Sequence, residues 1–379
     1  MNKTYLLTPG PTPVPPEVLL AMAEPIIHHR SPAFRAIFRE CREGLKRLFQ
    51  TEQEVLIFVA SGTGAMEAAV ANIIAPGDRA LVIEAGKFGE RWTELCQAYG
   101  AAVERILPGW GHMCPAADVA AKLKADPGIR AVFCQANETS TGVCAPLKEL
   151  GEVCRNSGAL LVVDAVSALG AMDIPTDRWG IDILVSGSQK ALMLPPGLAF
   201  ASVSPKAWKV VEQLNRPSYY FSLTKTLKAA QKDQGPYTSA VTLMYGLRAV
   251  LRMMADDGLE TIFARHRKLS AATKAAVLAL GLTLYAKDNP SDCLTAVEAP
   301  ANIDAQDIVA KLRDGHGITI AGGQAQLKGK IFRISHMGYI SGSDILLTVA
   351  ALEQVLRDLG HSVQLGQGVA AAQAVLSQP

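Results

Sequence analysis

The segment Leu160-Leu161-Val162-Val163-Asp164-Ala165-Val166 contains the strand pattern that decides the fold. Four apolar residues in succession predict a strand that is covered on both faces, as the strands of parallel sheets are. A single carboxylate, Asp164, ends this strand. Because α/β proteins bind ligands at the carboxyl ends of parallel strands, Asp164 is a candidate binding residue, although an acid in a turn or a helix cap would give the same pattern.

Short apolar runs of this kind alternate with amphipathic segments on both sides of residues 160–166. The alternation predicts β-α-β units, which form a parallel sheet. We predict seven strands, at residues 55–60, 80–84, 103–107, 131–135, 160–164, 181–186 and 198–203. We predict helices at residues 64–74, 88–99, 116–124 and 146–157, and another at 32–49 after a proline-rich arm.

The last part of the chain departs from this alternation. Residues 215–240 are polar and aromatic, and a long helical pattern covers residues 241–280. A compact α+β pattern follows, with strands at residues 294–298, 318–321 and 331–335 and helices at 304–314 and 343–359. We therefore predict an α/β fold with an N-terminal arm and helix (1–50), a large domain with a mostly parallel seven-stranded sheet flanked by helices (51–280), and a smaller C-terminal α+β domain (281–379).

The composition limits the partners of the chain. Of 379 residues, 49% are hydrophobic and 19% are charged, and the formal net charge is +2. Balanced charge without runs of one sign does not favour nucleic acid or an anionic membrane surface as a partner. No apolar stretch approaches the roughly 18 residues of a membrane span, and the residues before Pro9 are too few for a signal-peptide core. The seven cysteines include no Cys-x-x-Cys pair, so we expect reduced structural thiols and a cytoplasmic protein.

A second candidate site is the turn Ser61-Gly62-Thr63-Gly64, which follows a predicted strand and begins a helix. The free N–H groups and the dipole at the start of a helix attract phosphate. The turn lacks the Gly-Lys-Ser/Thr ending of a P-loop, and Glu67 occupies the third small position of the dinucleotide-binding motif. Glu84, at the end of the next strand, keeps a dehydrogenase as an alternative, and an ordinary glycine-rich turn would look the same.

A third candidate is Lys190, in the segment Ser186-Gly187-Ser188-Gln189-Lys190-Ala191. A lysine in apolar surroundings has a lowered pKa and can act as a nucleophile or a proton carrier, whereas a lysine that extends to the surface would give the same pattern. The three features together match the needs of pyridoxal phosphate. Its phosphate needs N–H donors, its pyridine nitrogen needs an anion, and its aldehyde needs an amine.

Eight motifs in chain order carry a family resemblance. They are Leu7-Thr8-Pro9-Gly10-Pro11-Thr12, His28-His29-Arg30-Ser31-Pro32-Ala33-Phe34, Ser61-Gly62-Thr63-Gly64-Ala65-Met66-Glu67, Asn137-Glu138-Thr139-Ser140-Thr141-Gly142, Val163-Asp164-Ala165-Val166-Ser167, Ser186-Gly187-Ser188-Gln189-Lys190-Ala191, Tyr237-Thr238 and Phe332-Arg333-Ile334-Ser335-His336-Met337-Gly338. With them the chain resembles, from about residue 6 to residue 359, the class V aminotransferases among the fold-type I pyridoxal phosphate enzymes. The branch that it is most similar to contains the alanine/serine–glyoxylate (serine–pyruvate) aminotransferases.

The resemblance implies the residues that bind the cofactor, pyridoxal 5′-phosphate. Lys190 would bind the aldehyde covalently, and Asp164 would pair with the pyridine nitrogen. Thr139 would contact the ring oxygen, and Val166 and Phe88 would pack on the two faces of the ring. The phosphate ligands implied within one subunit are Ser61, Gly62, Thr63 and Gln189. Thr238 and Tyr237 would reach the phosphate from the two-fold mate, because this family builds its site at a homodimer interface.

The resemblance also implies the reaction and its substrates. Arg333, helped by the backbone around Gly10, would bind the substrate carboxylate. The implied activity is transamination of a small amino acid, alanine or serine, with a 2-oxo acid such as glyoxylate or pyruvate. Two alternatives are a related lyase or cysteine desulfurase and a non-catalytic accessory protein, since some relatives carry hydrogenase-subunit names. Retention of Lys190, Asp164 and Arg333 argues against the accessory role.

Other reactive side chains have simpler explanations. A desulfurase would need Cys293 as its thiol, but the sequence around this residue predicts the start of a buried strand. His28 and His29 are neighbours in the chain and do not point at one site, and the resemblance places them near the dimer contact. His336 is expected to be a packing residue beside Arg333. No set of His, Cys or acidic residues has metal-ligand spacing, so no metal site is expected.

Overall fold

The computed structural model describes residues 3–378. Numbered along the chain, the strands are β1 (Tyr5–Leu6), β2 (Val55–Ala60), β3 (Arg79–Ile83), β4 (Ala102–Ile106), β5 (Ile129–Gln135), β6 (Asn137–Glu138), β7 (Val143–Cys144), β8 (Leu160–Asp164), β9 (Ile183–Gly187), β10 (Gly197–Val203), β11 (Thr283–Leu284), β12 (Leu294–Glu298), β13 (Ile318–Thr319), β14 (Ala321–Gly322) and β15 (Ile331–Ser335). The helices are α1 (Pro16–Met22), α2 (Pro32–Phe49), α3 (Gly62–Ile73), α4 (Lys87–Ala98), α5 (Ala116–Ala125), α6 (Leu147–Ser157), α7 (Thr176–Trp179), α8 (Pro205–Leu214), α9 (Leu223–Ala230), α10 (Val241–Asp257), α11 (Leu259–Ala279), α12 (Ala305–His316), α13 (Gly342–Asp358) and α14 (Gln367–Leu376), with a 3₁₀ helix at Ala325–Leu327.

The central sheet has seven strands in the order β2-β10-β9-β8-β5-β3-β4. Only β10 runs against its neighbours; the other strand pairs are parallel. The prediction of a mostly parallel seven-stranded sheet is therefore confirmed. In β8, Leu161 and Val163 join the core on one face of the sheet, and Leu160 and Val162 join the core on the other. This alternation follows from the two-residue period of a strand and explains why β8 is apolar throughout.

A second, four-stranded sheet has the order β11-β12-β15-β14 and packs with the helices of the C-terminal part around its own core. The N-terminal strand β1 pairs in parallel with β13 in a separate two-stranded sheet, so the start of the chain is joined to the C-terminal part. Residues 318–321, predicted as one strand, form two short ones, because β13 pairs with β1 and β14 pairs with β15. The domain division at residues 50 and 280 stays a prediction.

Five helices were not predicted from the sequence: α1, α7, α8, α9 and α14. Helix α9 lies in the polar segment that we expected to be irregular, and the Ser222 side chain caps it by accepting the N–H of Lys225. Helix α14 is held by a tertiary contact. The buried carboxylate of Glu353, 2% exposed, accepts the N–H groups of Gly366 (2.6 Å), Gly368 (2.7 Å) and Val369 (3.1 Å). A carboxylate at this position satisfies N–H groups that would otherwise have no partner.

The carboxyl ends of the parallel strands meet at one edge of the central sheet. Asp164 ends β8, and the turn with Lys190 follows β9. The start of α3 follows β2, and the segment with Thr139 follows β5. Among residues 3–378, no helix is both long enough and apolar enough to cross a membrane.

Candidate active site

A pocket opens at this edge of the central sheet. It is lined by Ser61, Gly62, Thr63, Met66, Phe88, Arg91, Thr139, Asp164, Val166, Ser167, Gln189 and Lys190. All three features that the sequence analysis singled out therefore lie around one cavity. Their roles in binding stay predictions, whereas their proximity is a property of the fold.

Asp164 forms the acidic part of the pocket wall. Its carboxylate is buried, and Oδ1 accepts the N–H of Val166 at 2.8 Å. Burial raises the pKa of Asp164 to about 6, and the rise is limited by the Val166 N–H and by the positive charges of Arg91 and Lys190. At pH 7 the carboxylate is therefore ionised, and it can hold a cationic ring nitrogen.

Lys190 lies opposite, in a turn that the N-terminal arm holds in place. The Thr12 hydroxyl donates to the Lys190 carbonyl at 2.7 Å, and the Lys190 Nζ donates to the carbonyl of Pro9. A Cβ on Gly10 would lie 2.4 Å from Nζ, so the arm can approach the amine only with glycine at position 10, whose φ is +104°. Burial lowers the pKa of Lys190 to about 8, against an opposing effect of Asp164.

The start of α3 forms the third wall. The Ser61 side chain makes no capping hydrogen bond, so it does not occupy the N–H groups of the first turn. A Cβ on Gly62 would lie 2.6 Å from Cγ2 of Val166, so glycine lets the helix start approach the β8 end. Within residues 3–378, Oε1 of Gln189 is buried without a hydrogen-bond partner. Uncapped N–H groups at a helix start suit a phosphate group. Gln189 could contribute a donor only through its amide nitrogen, because its amide oxygen is an acceptor like the phosphate oxygens.

Thr139, Val166 and Phe88 line the remaining sides of the pocket. The Thr139 hydroxyl donates to the Ser167 hydroxyl at 2.8 Å, and the Ser167 hydroxyl donates to the carbonyl of Asn137 at 3.3 Å. This chain fixes the orientation of Thr139. Val166 and Phe88 give the pocket apolar surfaces, which a flat aromatic ring would require.

Arg333 is the buried cation of the second sheet, 5% exposed. Its Nε and Nη2 donate to the carbonyl of Gly322 at 3.0 and 2.7 Å, and its Nη1 donates to the carbonyl of Thr139 at 2.9 Å. A guanidinium has five N–H groups, so one on each terminal nitrogen is left for a ligand. Burial lowers the pKa of Arg333 to about 10, so the group stays charged at neutral pH.

Tyr237 and Thr238 lie apart from this pocket. They line a separate apolar cavity, in which the ring of Tyr237 stacks on Tyr220 with centroids 5.0 Å apart. Thr238 is exposed. They therefore do not line the pocket of their own subunit, and a role of these two residues in a second subunit stays a prediction.

Arg91 and Glu138 are two site residues that the sequence analysis missed. Arg91 lines the pocket, donates to the Thr63 hydroxyl at 3.2 Å and lies 5.0 Å from the centroid of the Phe88 ring. Glu138 is buried directly behind Phe88. A family motif contained Glu138, but neither residue stands at the end of an apolar strand, which was the signal that revealed Asp164.

The alternatives in the sequence analysis gain no support from the geometry. Cys293 is fully buried, and burial raises the pKa of its thiol well above the usual range, which does not suit a reactive desulfurase thiol. Glu84 accepts the hydroxyl of Thr93 and faces Arg105 at 3.6 Å, so it is not free to bind a ribose. His336 is buried between the carbonyl of Asp292 and the hydroxyl of Thr295, as a packing residue would be.

The residues around the pocket fit pyridoxal phosphate. The glycine at position 62 keeps the helix start open, and one acid and one amine line the same cavity. Within residues 3–378, no three side chains of His, Cys, Asp or Glu are grouped so that they could hold a metal ion.

Comparisons with known proteins agree with the family that the sequence resembles. A family model described as aminotransferase class-V matches residues 4–345. The chain is 47% identical to the soluble hydrogenase small subunit of Synechococcus sp. (strain PCC 6716), over 99% of both chains. It is 39% identical to the L-aspartate–glyoxylate aminotransferase of Paracoccus denitrificans, over 98% of this chain and 96% of that protein.

A solved structure has nearly the same fold. The ureidoglycine–glyoxylate aminotransferase of Bacillus subtilis superposes with a TM-score of 0.95 at 35% sequence identity, over 100% of this chain and 99% of that one. The fold is therefore that of the fold-type I aminotransferases, as predicted.

Proposed function

Because the chain belongs to the class-V aminotransferase family, we propose that it uses pyridoxal 5′-phosphate to transfer the amino group of alanine or serine to glyoxylate or pyruvate. The observation that carries the proposal is the convergence of Lys190 and Asp164 on one pocket with the start of α3. Glyoxylate is the acceptor in the names of both the Paracoccus relative and the Bacillus structure.

Nine of the twelve residues that line the pocket have a chemical task in this proposal. When bound, the cofactor supplies an aldehyde and an electron-withdrawing ring. Lys190 would hold the aldehyde through Nζ and, once displaced by the donor amine, would move the α-proton on the same nitrogen. Asp164 would keep the ring nitrogen protonated by its negative charge. Ser61, Gly62, Thr63 and Gln189 would hold the phosphate, and Thr139, Val166 and Phe88 would orient the ring.

Arg333 would bind the substrate carboxylate through its two remaining N–H groups. We expect Arg333→Lys to raise the KM for the amino donor by about 10- to 100-fold, with a smaller change in kcat, because a lysine cannot present two parallel donors. Steady-state kinetics with alanine and with serine would measure the change. Arg130→Lys is the matched control, since Arg130 pairs with Asp78 near the amino end of β5 and should leave KM unchanged. An unchanged KM in Arg333→Lys would show that the substrate carboxylate binds to a different residue.

The pKa of Lys190 predicts how the cofactor-free protein takes up pyridoxal phosphate. Only a neutral amine can bond to the aldehyde, and burial lowers the pKa of Lys190 to about 8. Compared with an ordinary lysine, the neutral fraction at pH 7 is then roughly 300-fold larger. We expect the uptake rate, followed by absorbance, to rise with pH and to level off above pH of about 8. A rate that keeps rising to pH of about 10 would show an unperturbed lysine.

The proposed function as a whole has a direct test. The purified protein should be yellow, and its visible absorbance should fall on addition of alanine or serine and return with glyoxylate or pyruvate. A panel with aspartate and other donors would rank the substrates. If the wild-type protein binds pyridoxal phosphate but no amino acid changes its absorbance, the aminotransferase proposal is wrong.

The hydrogenase name of the relative with 47% identity raises the accessory-protein alternative. The pocket favours catalysis, because a protein that only assembles with a partner has no need for Lys190 and Asp164 around one cavity, with the buried Arg333 held by the carbonyl of Thr139 beside it. Release of alanine from cysteine, with sulfide formed when an added thiol reduces the persulfide on the protein, would instead favour a desulfurase. The loss of that activity in Cys293→Ala would assign it.

We further propose that the protein works as a cytoplasmic homodimer in which Thr238 and Tyr237 reach the phosphate of the second subunit. Large side chains on α1 and nearby are exposed, with Leu20 and Ile26 each 72% accessible. All seven cysteines are free and buried, which suits a reducing compartment.

We expect Ile26→Asp to convert a dimer of 40.3 kDa chains into monomers with weaker cofactor binding, measured by light scattering. Leu107→Asp, at another exposed leucine, should leave a dimer, and a monomeric wild type would contradict the proposal.

A further inference from the structure

Glu138 is a buried carboxylate that the proposed reaction does not use. It is 1% exposed, and its hydrogen-bond donors are backbone N–H groups and one hydroxyl. Oε1 accepts the N–H and the hydroxyl of Ser140 at 3.0 and 2.6 Å, and Oε2 accepts the N–H groups of Phe88 and Gly89 at 3.1 and 3.0 Å. Burial raises the pKa of Glu138, and these donors lower it. The hydrogen bonds thus favour an ionised group at a position that is costly for a charge.

The donors belong to a helix that has no cap of its own. Helix α4 begins after Gly86, which has no side chain to accept the first N–H groups. The Ser140 hydroxyl accepts the N–H of Lys87 at 3.0 Å, and Glu138 accepts the next two. A Cβ on Gly86 would lie 2.3 Å from the Ser140 hydroxyl oxygen, so glycine permits this close approach. Residues 138 and 140 therefore cap α4 from another segment of the chain.

The first turns of α4 carry two side chains into the pocket, Phe88 and Arg91. The Arg91 guanidinium lies over the Phe88 ring and donates to the Thr63 hydroxyl, so the position of α4 sets both the ring wall and one phosphate-side contact. On the other side, the carbonyl of Thr139, the residue after Glu138, accepts an N–H of Arg333. Residues 138–140 thus contact both the start of α4, which carries Phe88, and Arg333, which would bind the substrate carboxylate.

We propose that Glu138 is a positioning residue. It caps α4 from the segment that also binds Arg333, and it thereby aligns the α4 side chains in the pocket with the arginine that would bind the substrate carboxylate. This inference rests on the proposed function, since it concerns the pocket in which the cofactor and substrate would bind. Glu138 itself lies behind Phe88 and acts through it.

The cap requires a carboxylate and not merely a polar side chain. Both oxygens of Glu138 accept two donors each, so an amide in its place puts its NH₂ group either against the N–H and hydroxyl of Ser140 or against the N–H groups of Phe88 and Gly89. Glu138→Gln keeps the size of the side chain and removes this acceptor. The start of α4 should then shift, and Phe88 and Arg91 should shift with it.

Glu353→Gln is a matched control within the same chain. Glu353 is equally buried and accepts three N–H groups at the start of α14, but it belongs to the C-terminal helices and not to the pocket. The experiment compares wild type, Glu138→Gln and Glu353→Gln in four measurements. These are the melting temperature, the Kd of the cofactor-free protein for pyridoxal phosphate, the visible circular dichroism of the bound cofactor, and the KM for the amino donor.

We expect both variants to melt at a lower temperature than wild type, because each loses helix-capping hydrogen bonds. Only Glu138→Gln should raise the Kd for pyridoxal phosphate, by about 10-fold or more, alter the circular dichroism of the cofactor and raise KM. If Glu138→Gln melts earlier but keeps the wild-type Kd, circular dichroism and KM, its role is structural only and the inference is wrong. A wild type that binds no cofactor would instead overturn the proposed function.

A milder variant covers the case in which Glu138→Gln does not fold. Ser140→Ala removes one donor to Glu138 and the acceptor for Lys87, and it should change the same cofactor measurements in the same direction by a smaller factor. Ser341→Ala, which removes the side-chain cap of α13, is its control and should leave the cofactor unaffected. Wild-type circular dichroism and Kd in Ser140→Ala would also overturn the inference.

Discussion

Lys190→Ala is expected to lower the rate of transamination by at least about 10³-fold, because it removes both the amine that bonds to the cofactor and the group that moves the proton. Lys190 lines the pocket in the turn after β9, and burial lowers its pKa to about 8. The side chain is therefore neutral often enough at pH 7 to bond to an aldehyde. A lysine at the protein surface, with its ordinary pKa, would be almost entirely protonated at pH 7.

Borohydride reduction followed by peptide mass spectrometry provides a readout that does not depend on turnover. In the wild type, the mass of the cofactor should be found on the peptide with Lys190, and in Lys190→Ala it should be absent. Lys206→Ala is the control, because Lys206 is also partly buried but contacts Asp182 and the carbonyl of Ala159 at the amino ends of the strands. Cofactor attached to another lysine of the wild type would refute the assignment.

The strand ends of the central sheet could be predicted because their signal is local. Asp164 and Lys190 each follow an apolar run of β-branched residues, and the ends of neighbouring parallel strands meet at one edge. Arg91 gave no such signal, since a cation on an amphipathic helix is expected to face water. Glu138 and Ser140, some fifty residues later in the chain, hold the start of the helix that carries Arg91 into the pocket.

The missed elements of the fold have the same cause. Helix α14 is fixed by Glu353 of α13, and the split of residues 318–321 follows from the pairing of β13 with the N-terminal β1. Contacts between distant segments do not appear in the periodicity of either segment. The polar composition around α9 likewise indicated a loop, whereas the Ser222 cap and the packing of Leu223 make it helical.

Asp164→Asn is expected to lower kcat by about 10²- to 10³-fold with little change in stability. Asparagine keeps the size of the side chain and can still accept the N–H of Val166, but it carries no charge to hold a protonated ring nitrogen. The same change should affect Lys190. The Asp164 charge raises the pKa of Lys190, so its removal should lower that pKa below about 8 and move the rise in cofactor uptake to lower pH.

Two measurements on one variant therefore test whether the acid and the amine share a site. Single-turnover kinetics with alanine give the loss in rate, and uptake of pyridoxal phosphate as a function of pH gives the shift. Asp182→Asn is the matched control, since Asp182 is equally buried but accepts the Leu161 N–H at the opposite end of β8. A fall in kcat without a shift in the uptake profile would place the Asp164 charge too far from Lys190. Because the pocket requires both groups to face one ring, that result would contradict the arrangement on which the proposed function depends.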